Sequence, residues 1–193
     1  DVPPRAATRS QPDEFQEALE RRVAALEQEV ARLTDRNGVT LCVFSGDMDR
    51  LIAAFSIANS AAACGLRVGM FFTFWGTALL RRPASRTRGK RLKERIFGWL
   101  LPSGPGRLPL SRLDMGGIGR RMILAEMRRK RIPDLGALME MAEACGVEIL
   151  ACGMSMELMG IRAEELIDYP KLRICGATQF VDMAAEGNVT LFV

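Results

Sequence analysis

The residues with the clearest chemical potential in this 193-residue sequence surround a single cysteine, Cys152. The apolar segment 147–151 predicts a buried strand, and the residues from Gly153 onward predict a turn that opens a helix. In a doubly wound α/β fold, binding and chemistry take place at the carboxyl ends of the strands. Backbone N–H groups at the start of the next helix would favour the thiolate. The pattern therefore predicts a thiol that acts as a nucleophile or carries a second sulfur atom; the alternative is a buried structural cysteine.

The residues that follow Cys152 are expected to line this site. Gly153 allows close approach of the backbone, and Ser155 is expected to cap the helix. Met154 and Met156 belong to a methionine-rich region, because eight of the eleven methionines lie between positions 115 and 159. This richness favours adaptable packing that tolerates polarizable sulfur over Cu(I) binding.

Four further cysteines accompany Cys152, and no two of the five form a C-x-x-C pair. An odd number without clustering argues against a disulfide framework, a zinc knuckle or a thioredoxin-type dithiol. Cys42 is predicted in the core, and Cys64 and Cys145, each before a glycine, are predicted as packing residues. Cys175 ends another strand and could reach the same sheet edge as Cys152, as a second thiol. Free cysteines fit a reducing cytoplasm.

Composition excludes several classes of site and membrane protein. The sequence contains no histidine, which rules out Ser-His-Asp and Cys-His catalysis and histidine-ligated zinc. We expect neither a metal nor a cofactor. No apolar run is long enough to cross a bilayer, and the first residues lack the apolar segment of a secretory signal. A cytoplasmic protein is expected, with membrane association left open.

Two glycine-containing turns are further candidates for the site. Gly46 and Asp47 follow the first predicted strand, where Asp47 is expected to cap the next helix. Gly116 and Gly117 begin a G-G-x-G element ahead of a helix, without the preceding strand that a dinucleotide fingerprint requires. This element is predicted to line the site entrance as a hinge. A flavodoxin-like ligand-binding module using both turns is an alternative.

Apolar strand-like segments alternate with helical segments along most of the chain. Strands are predicted at 39–45, 67–73, 147–151, 172–175 and 189–193, and helices at 49–63, 118–130, 134–145 and 176–186. Strands that alternate with helices form a parallel sheet covered on both faces. The predicted fold class is therefore α/β, with a doubly wound, mainly parallel five-stranded sheet of the flavodoxin-like kind.

The first part of the chain is predicted to form a separate helix. Residues 1–11 are expected to be a disordered tail, and residues 12–37 a coiled-coil helix. The apolar residues of this helix repeat at alternating spacings of four and three: Leu19, Val23, Leu26, Val30 and Leu33. That heptad pattern favours an oligomerising coiled coil. An amphipathic helix lying on its own domain is the alternative.

Residues 83–117 interrupt the alternation and are interpreted as a basic insertion in the domain of residues 39–193. Between Arg81 and Arg95 there are eight Lys or Arg residues and one acidic residue, Glu94. The apolar segment 96–101 follows, so that 83–101 is similar to segments that contact a membrane surface. An acidic partner or a solvated lid would explain the charge as well. Nucleic acid binding is not expected, since aromatic residues are few and no recognition motif is present.

The motif after the third strand carries a family resemblance. The run 151–161, A-C-G-M-S-M-E-L-M-G-I, resembles the A-C-x-M-S-M-x-x-M-G-I signature of DsrE/DsrF/DrsH-like proteins, in the larger subfamily often labelled peroxiredoxin-like. Similar segments are 44–47, 71–76, 115–117, 132–133 and 188–193. The resemblance covers roughly residues 39–193.

The resemblance implies an oligomeric, cytoplasmic sulfur relay protein with a DsrE-like fold. In such proteins one cysteine accepts sulfane sulfur or a thiosulfonate group and passes it to a partner thiol, and by motif that cysteine is Cys152. The implied partners are TusA-like and rhodanese-like proteins, and the implied activity is that of a sulfurtransferase or carrier. An oligomeric scaffold at a membrane surface or in a protein complex, without transfer activity, is the alternative.

Overall fold

The computed structural model describes residues 11–35, 37–83, 104–106 and 108–193, with side chains of the first segment described from 15 to 31. The chain divides into two compact units, with the boundary between positions 36 and 37. The predicted tail 1–11 lies outside the described residues except for its last position.

The first unit contains one long helix, α1 (Gln11–Asp35). Four of the five predicted heptad positions lie among its described side chains, and all four are exposed: Leu19, Val23, Leu26 and Val30. Arg21 and Glu17 form an ion pair one turn apart on its surface. The helix thus exists close to its predicted range, and its association into a coiled coil stays a prediction.

The second unit is built on a five-stranded sheet in which every neighbouring pair is parallel. The strands are β1 (Gly38–Val43), β2 (Arg67–Phe72), β3 (Glu148–Cys152), β4 (Leu172–Cys175) and β5 (Val189–Phe192). Their order across the sheet is β4-β3-β2-β1-β5, so the fifth strand pairs with the first. The parallel five-stranded sheet predicted from the alternation of segments is confirmed.

Helices connect the strands, as parallel pairing requires. They are α2 (Met48–Ala63), α3 (Ile118–Arg129), α4 (Leu135–Ala144), α5 (Gly153–Met159) and α6 (Ala177–Glu186). Short 3-10 helices lie at Phe74–Leu80, Met115–Gly117 and Ala163–Glu165. Glycines with positive φ, Gly65 after α2 and Gly146 after α4, let the chain turn directly into the next strand.

The two faces of the sheet are covered unequally. Side chains alternate between faces along each strand, so Leu41 and Val43 of β1 point to one face and Cys42 to the other. The first face packs against α2 and α4 in the main core, to which Phe55 and Leu138 belong. The second face carries a smaller cluster that packs against α6. That smaller cluster includes Cys42 and Cys152.

The end of the predicted insertion contributes to the core. Leu108 and Leu110 are buried, and the N–H of Met48 donates to the carbonyl of Pro109. At the other end, Arg81 and Glu165 form a buried ion pair with an N–O distance of 4.0 Å. Most of the basic segment 83–101 lies outside the described residues, so its predicted membrane contact stays a prediction.

Among the helices that the structure describes, none combines the length and the apolar character needed to cross a membrane.

Candidate functional site

Cys152 lies where a strand becomes a helix. It is the last residue of β3 and the N-cap residue of α5, with an extended backbone (φ −69°, ψ 110°). Its side chain is only 3% exposed. The thiol therefore sits at the carboxyl edge of the sheet, as the sequence predicts, but largely shielded from water.

Hydroxyl groups from two neighbouring strand ends meet beside this sulfur. Thr73, directly after β2, and Ser155, in the first turn of α5, share a hydrogen bond of 3.0 Å between their hydroxyl oxygens. The backbone N–H of Phe74 donates to Oγ of Ser155, also at 3.0 Å. Both side chains are buried, so the network is fixed by the packing of the two strand ends.

The surroundings of Cys152 favour its charged form. Burial opposes ionisation, but the hydroxyl and N–H of Ser155, the hydroxyl of Thr73 and the N–H of Met154 outweigh it, and the pKa of the Cys152 thiol is lowered from its ordinary value. The Cys152 side chain makes no capping hydrogen bond to α5. A thiol with a lowered pKa is a better nucleophile near neutral pH.

The predicted capping role of Ser155 is wrong. Cys152 occupies the N-cap position, and the Ser155 hydroxyl turns back toward the loop after β2. The reason is that the strand order places β2 directly beside β3, where the Phe74 N–H needs an acceptor. Thr73 was not predicted from the sequence, although its place directly after an apolar strand could have indicated it.

The other residues predicted to line the site differ in their exposure. Gly153 lies against β4, because a Cβ built there would be 3.5 Å from Cγ2 of Ile174. The Met154 side chain is exposed, whereas Met156 packs in the main core. The methionines of this turn thus include one surface residue and one packing residue.

Cys175 stands directly beside Cys152. The two are register partners at the ends of β3 and β4, and Cys175 is half-buried. Burial first, and then repulsion from Cys152, raise the pKa of the Cys175 thiol, against a smaller lowering by Arg173. Burial and the charge of Cys152 also raise the pKa of Cys42, which is in the core as predicted.

Cys64 and Cys145 are both exposed at the ends of α2 and α4. The prediction that they are packing residues is therefore wrong. Each is the C-cap residue of its helix and directly precedes a glycine with positive φ, at the turn from the helix into the next strand.

Gly46 and Asp47 lie at the carboxyl end of β1, where they shape the edge of the sheet. A Cβ on Gly46 would be 2.8 Å from the carbonyl oxygen of Trp75, so the two loops touch. Asp47 occupies the N-cap position of α2 without a side-chain capping bond. Its carboxylate instead accepts a hydrogen bond from Oγ of Ser45 at 2.9 Å. Asp47 thus holds the predicted N-cap position, but its side chain does not make the predicted capping bond.

Gly116 and Gly117 adopt positive φ values of 67° and 93° directly before α3. Their segment lies near the start of α2, where Ser111 donates to the carboxylate of Asp49. None of the described hydrogen bonds joins this turn to Cys152. A hinge role at the site entrance stays a prediction.

Among the cavities lined by described residues, two flank the sheet. One of about 340 Å³ lies beside α5 and is lined by Gly153, Met156, Ile174 and four neighbours. The other, of about 520 Å³, lies at the amino ends of the central strands and contains Thr40 and Arg173 in its wall. Neither is lined by Gly46 or Gly116. Within the described segments, no group of three or more His, Cys, Asp or Glu is arranged to hold a metal ion.

With this geometry in place, comparison with known proteins identifies the family. The model of the DsrE/DsrF/DrsH-like family matches residues 36–192. The chain belongs to that family. The match covers the whole parallel sheet and includes Cys152.

Two curated relatives cover most of this chain. The uncharacterized protein YrkE of Bacillus subtilis (strain 168) is 38% identical over 154 residues, which is 80% of this chain and 95% of that protein. The sulfur carrier protein DsrE2 of Allochromatium vinosum is 26% identical over 163 residues, 82% of this chain and 99% of that protein. Among solved structures, the ychN protein from E. coli superposes with a TM-score of 0.47 and 9% identity, covering 81% of this chain and 99% of that one.

Proposed function

We propose that this protein is a sulfur carrier of the sulfurtransferase kind, which accepts sulfane sulfur or a thiosulfonate group on Cys152 and passes it to a partner thiol. The observation that carries the proposal is the environment of Cys152, a buried thiol at the carboxyl edge of the sheet, beside the bonded hydroxyl groups of Thr73 and Ser155, with a lowered pKa. Family membership and the name of the relative DsrE2, a sulfur carrier protein, support the same role.

Loading is a nucleophilic displacement at sulfur. The Cys152 thiolate attacks the terminal sulfur of a persulfide donor, R–S–SH, and forms a new S–S bond. The donor's S–S bond breaks, and R–S⁻ leaves with the electron pair. With tetrathionate, attack on a central sulfur displaces thiosulfate and leaves a thiosulfonate-terminated adduct. Neither reaction needs an added oxidant or reductant.

In unloading, the Cys152 sulfur is the leaving group instead of the nucleophile. An acceptor thiolate attacks the terminal sulfur of the Cys152 persulfide, and Cys152 leaves as a thiolate. Because leaving is faster for a thiol of lower pKa, the donors from Ser155 and Thr73 assist this step as well. The expected acceptors are thiols of TusA-like or rhodanese-like proteins, as the family resemblance implies.

The test is intact-mass spectrometry of the protein after incubation with tetrathionate or inorganic polysulfide. We expect a mass increase of one or more sulfur atoms, or of a thiosulfonate group, that dithiothreitol removes. Cys152→Ser is expected to abolish it. Cys145→Ser is the matched control, because that cysteine lies on the same tryptic peptide and is exposed.

An unchanged adduct in Cys152→Ser would contradict the assignment of the carrier residue. The absence of any adduct, with Cys152 also inert to iodoacetamide in the folded protein, would identify a structural thiol. That result would favour a scaffold without transfer activity.

A further inference from the structure

A second thiol faces Cys152 across the edge of the sheet. Cys152 and Cys175 are register partners on adjacent parallel strands, β3 and β4. Adjacent strands are about 4.8 Å apart, and partner residues project from the same face. This spacing lies within the range of about 4.4–6.8 Å between Cα atoms across which two cysteines can form an S–S bond. A sulfur atom bound to Cys152 is therefore within reach of Cys175.

Both thiols belong to one small cluster on the face covered by α6. Cys42, Phe71, Leu150 and Cys152 form its buried part, and Cys175 packs against it from the edge. Within this cluster Cys152 is almost fully covered, whereas Cys175 is half-buried. A partner's thiol meets less steric obstruction at Cys175 than at Cys152.

The two thiols differ in acidity, and this difference favours sulfur transfer in one direction. The pKa of Cys152 is lowered by its donors, and the pKa of Cys175 is raised by burial and by the neighbouring charge. In thiol exchange the more acidic thiol is the better leaving group, and the more basic thiolate is intrinsically the better nucleophile. Sulfur held on Cys152 is thus favoured to move to Cys175.

We propose that Cys175 is a second sulfur acceptor, which takes the sulfane sulfur from the Cys152 persulfide and presents it to the partner. This step rests on the function proposed above. The Cys175 thiolate attacks the terminal sulfur of Cys152–S–SH, a bond forms between them, and the S–S bond at Cys152 breaks. Cys152 leaves as a thiolate and takes up the proton that Cys175 has lost. No atom is lost and no net oxidation occurs.

The experiment follows one sulfur atom between two peptides of the full-length chain. The reduced protein is mixed with one equivalent of inorganic polysulfide and quenched with iodoacetamide at increasing times. Trypsin cleaves after Arg173, which places Cys175 on the peptide that starts at Ile174, separate from Cys152. Fragment ions distinguish Cys152 from Cys145 within the other peptide.

We expect the extra sulfur to appear first on Cys152 and then on Cys175. In Cys152→Ser, labelling of Cys175 should be lost over the same reaction times, because its own thiolate fraction is small. In Cys175→Ser and Cys175→Ala, sulfur should remain on Cys152, and its release to glutathione should slow by about tenfold or more. Cys42→Ser is the matched control, since Cys42 lies in the same cluster and has a raised pKa for the same reasons. It should behave like the wild type.

The outcomes separate the two proposals. Labelling of Cys152 with an inert Cys175, or release to glutathione at the wild-type rate in both Cys175 variants, overturns the transfer step and leaves the carrier function intact. Absence of labelling at Cys152 overturns both. A product 2 Da lighter than the reduced protein would indicate attack on the inner sulfur with loss of sulfide, and this disulfide would also overturn the transfer step. Unchanged melting temperatures of the two Cys175 variants exclude unfolding as the cause.

Discussion

At the scale of single residues, the surroundings of one sulfur atom, that of Cys152, favour its ionisation. Cys152 is buried, which by itself would keep its thiol protonated. The side chains of Ser155 and Thr73 lie beside the sulfur and contribute to lowering the pKa of the thiol, and their hydroxyl groups also share a hydrogen bond. Both groups are side chains, so the acidity of the thiol can be changed without replacing the cysteine itself.

Ser155→Ala is predicted to raise the pKa of the Cys152 thiol and to slow its reaction with iodoacetamide at pH 7. A hydrogen bond to a charged group is worth about 1.5–3 kcal/mol, which corresponds to a rate lower by about tenfold or more. The variant should also lose about 1–3 kcal/mol of stability, since the Phe74 N–H loses its acceptor. Alkylation kinetics and urea unfolding measure the two effects.

Ser56→Ala is the control for this substitution. Its hydroxyl bonds only to the carbonyl of Ile52 on the exposed side of α2. Both the alkylation rate and the unfolding midpoint should stay near wild-type values. Equal alkylation rates in Ser155→Ala and the wild type would show that the hydroxyl does not control the acidity of the thiol.

The thiols are also predicted to titrate in a coupled way. Since the pKa of Cys152 is lowered, its thiolate appears at a lower pH than that of an ordinary cysteine, and the Cys175 thiolate appears at a higher pH. Replacing Cys152 with serine removes the repulsion that contributes to the raised pKa of Cys175. The ultraviolet absorbance of thiolate against pH should then show the midpoint of Cys175 moving down. A midpoint that stays in place would mean that the charge of Cys152 does not contribute to the raised pKa of Cys175.

At the scale of secondary structure elements, the site is shaped by the close approach of the loops that follow the strands. Gly46 follows β1, and Gly76 lies in the 3-10 helix after β2. A Cβ at Gly46 would touch Trp75, and one at Gly76 would overlap the carbonyl oxygen of Val43. These contacts leave room only for glycine, and they hold Thr73 and Phe74 beside α5.

Gly76→Ala is predicted to destabilise the fold by about 1–3 kcal/mol through overpacking against β1. Because Thr73 would shift with the loop, the alkylation rate of Cys152 should fall as well. Urea unfolding and alkylation kinetics test both consequences. Gly106→Ala is the matched control, since no atom lies within 4 Å of its Cβ position. Similar losses of stability in the two variants would contradict the packing argument.

At the scale of the whole molecule, the exposed stripe of α1 predicts association between copies of the chain. In the heptad pattern Arg22 and Glu27 fall at g and e positions, which face each other between parallel helices and carry opposite charges. In antiparallel helices the e positions would bring Glu20 and Glu27 of two copies together. A parallel arrangement is therefore favoured.

Leu26→Asp is predicted to lower the mass of the assembly in solution, because it places a carboxylate in the centre of the seam. Light scattering coupled to size-exclusion chromatography measures that mass. Ala24→Asp introduces the same charge at a position outside the seam and should leave the mass unchanged. An unchanged mass in Leu26→Asp would show that the helix does not hold the copies together.

The sequence was sufficient to predict the sheet and the position of Cys152, but only part of its surroundings. Apolar runs and glycine corners are local features, so all five strands and the strand-to-helix turn could be predicted from them. The contacts of Ser155 and Thr73 depend on β2 and β3 being neighbours, and Cys175 lies opposite Cys152 only because β4 follows β3 in the sheet. Strand order is a property of the whole fold, and no local pattern specifies it.

The pairing of β5 with β1 has a consequence for synthesis on the ribosome. Val39 is translated well before its partner Val189, which follows it in the chain by 150 residues. Until then β1 presents an unpaired edge, which can associate with other nascent chains. The carbonyl of Val193 accepts hydrogen bonds from the N–H groups of Phe44 and Ser45. The loop that contains Gly46 therefore gains these bonds only after Val193 has been translated. The carboxyl edge of the sheet is therefore complete only after the last of its five strands has been translated.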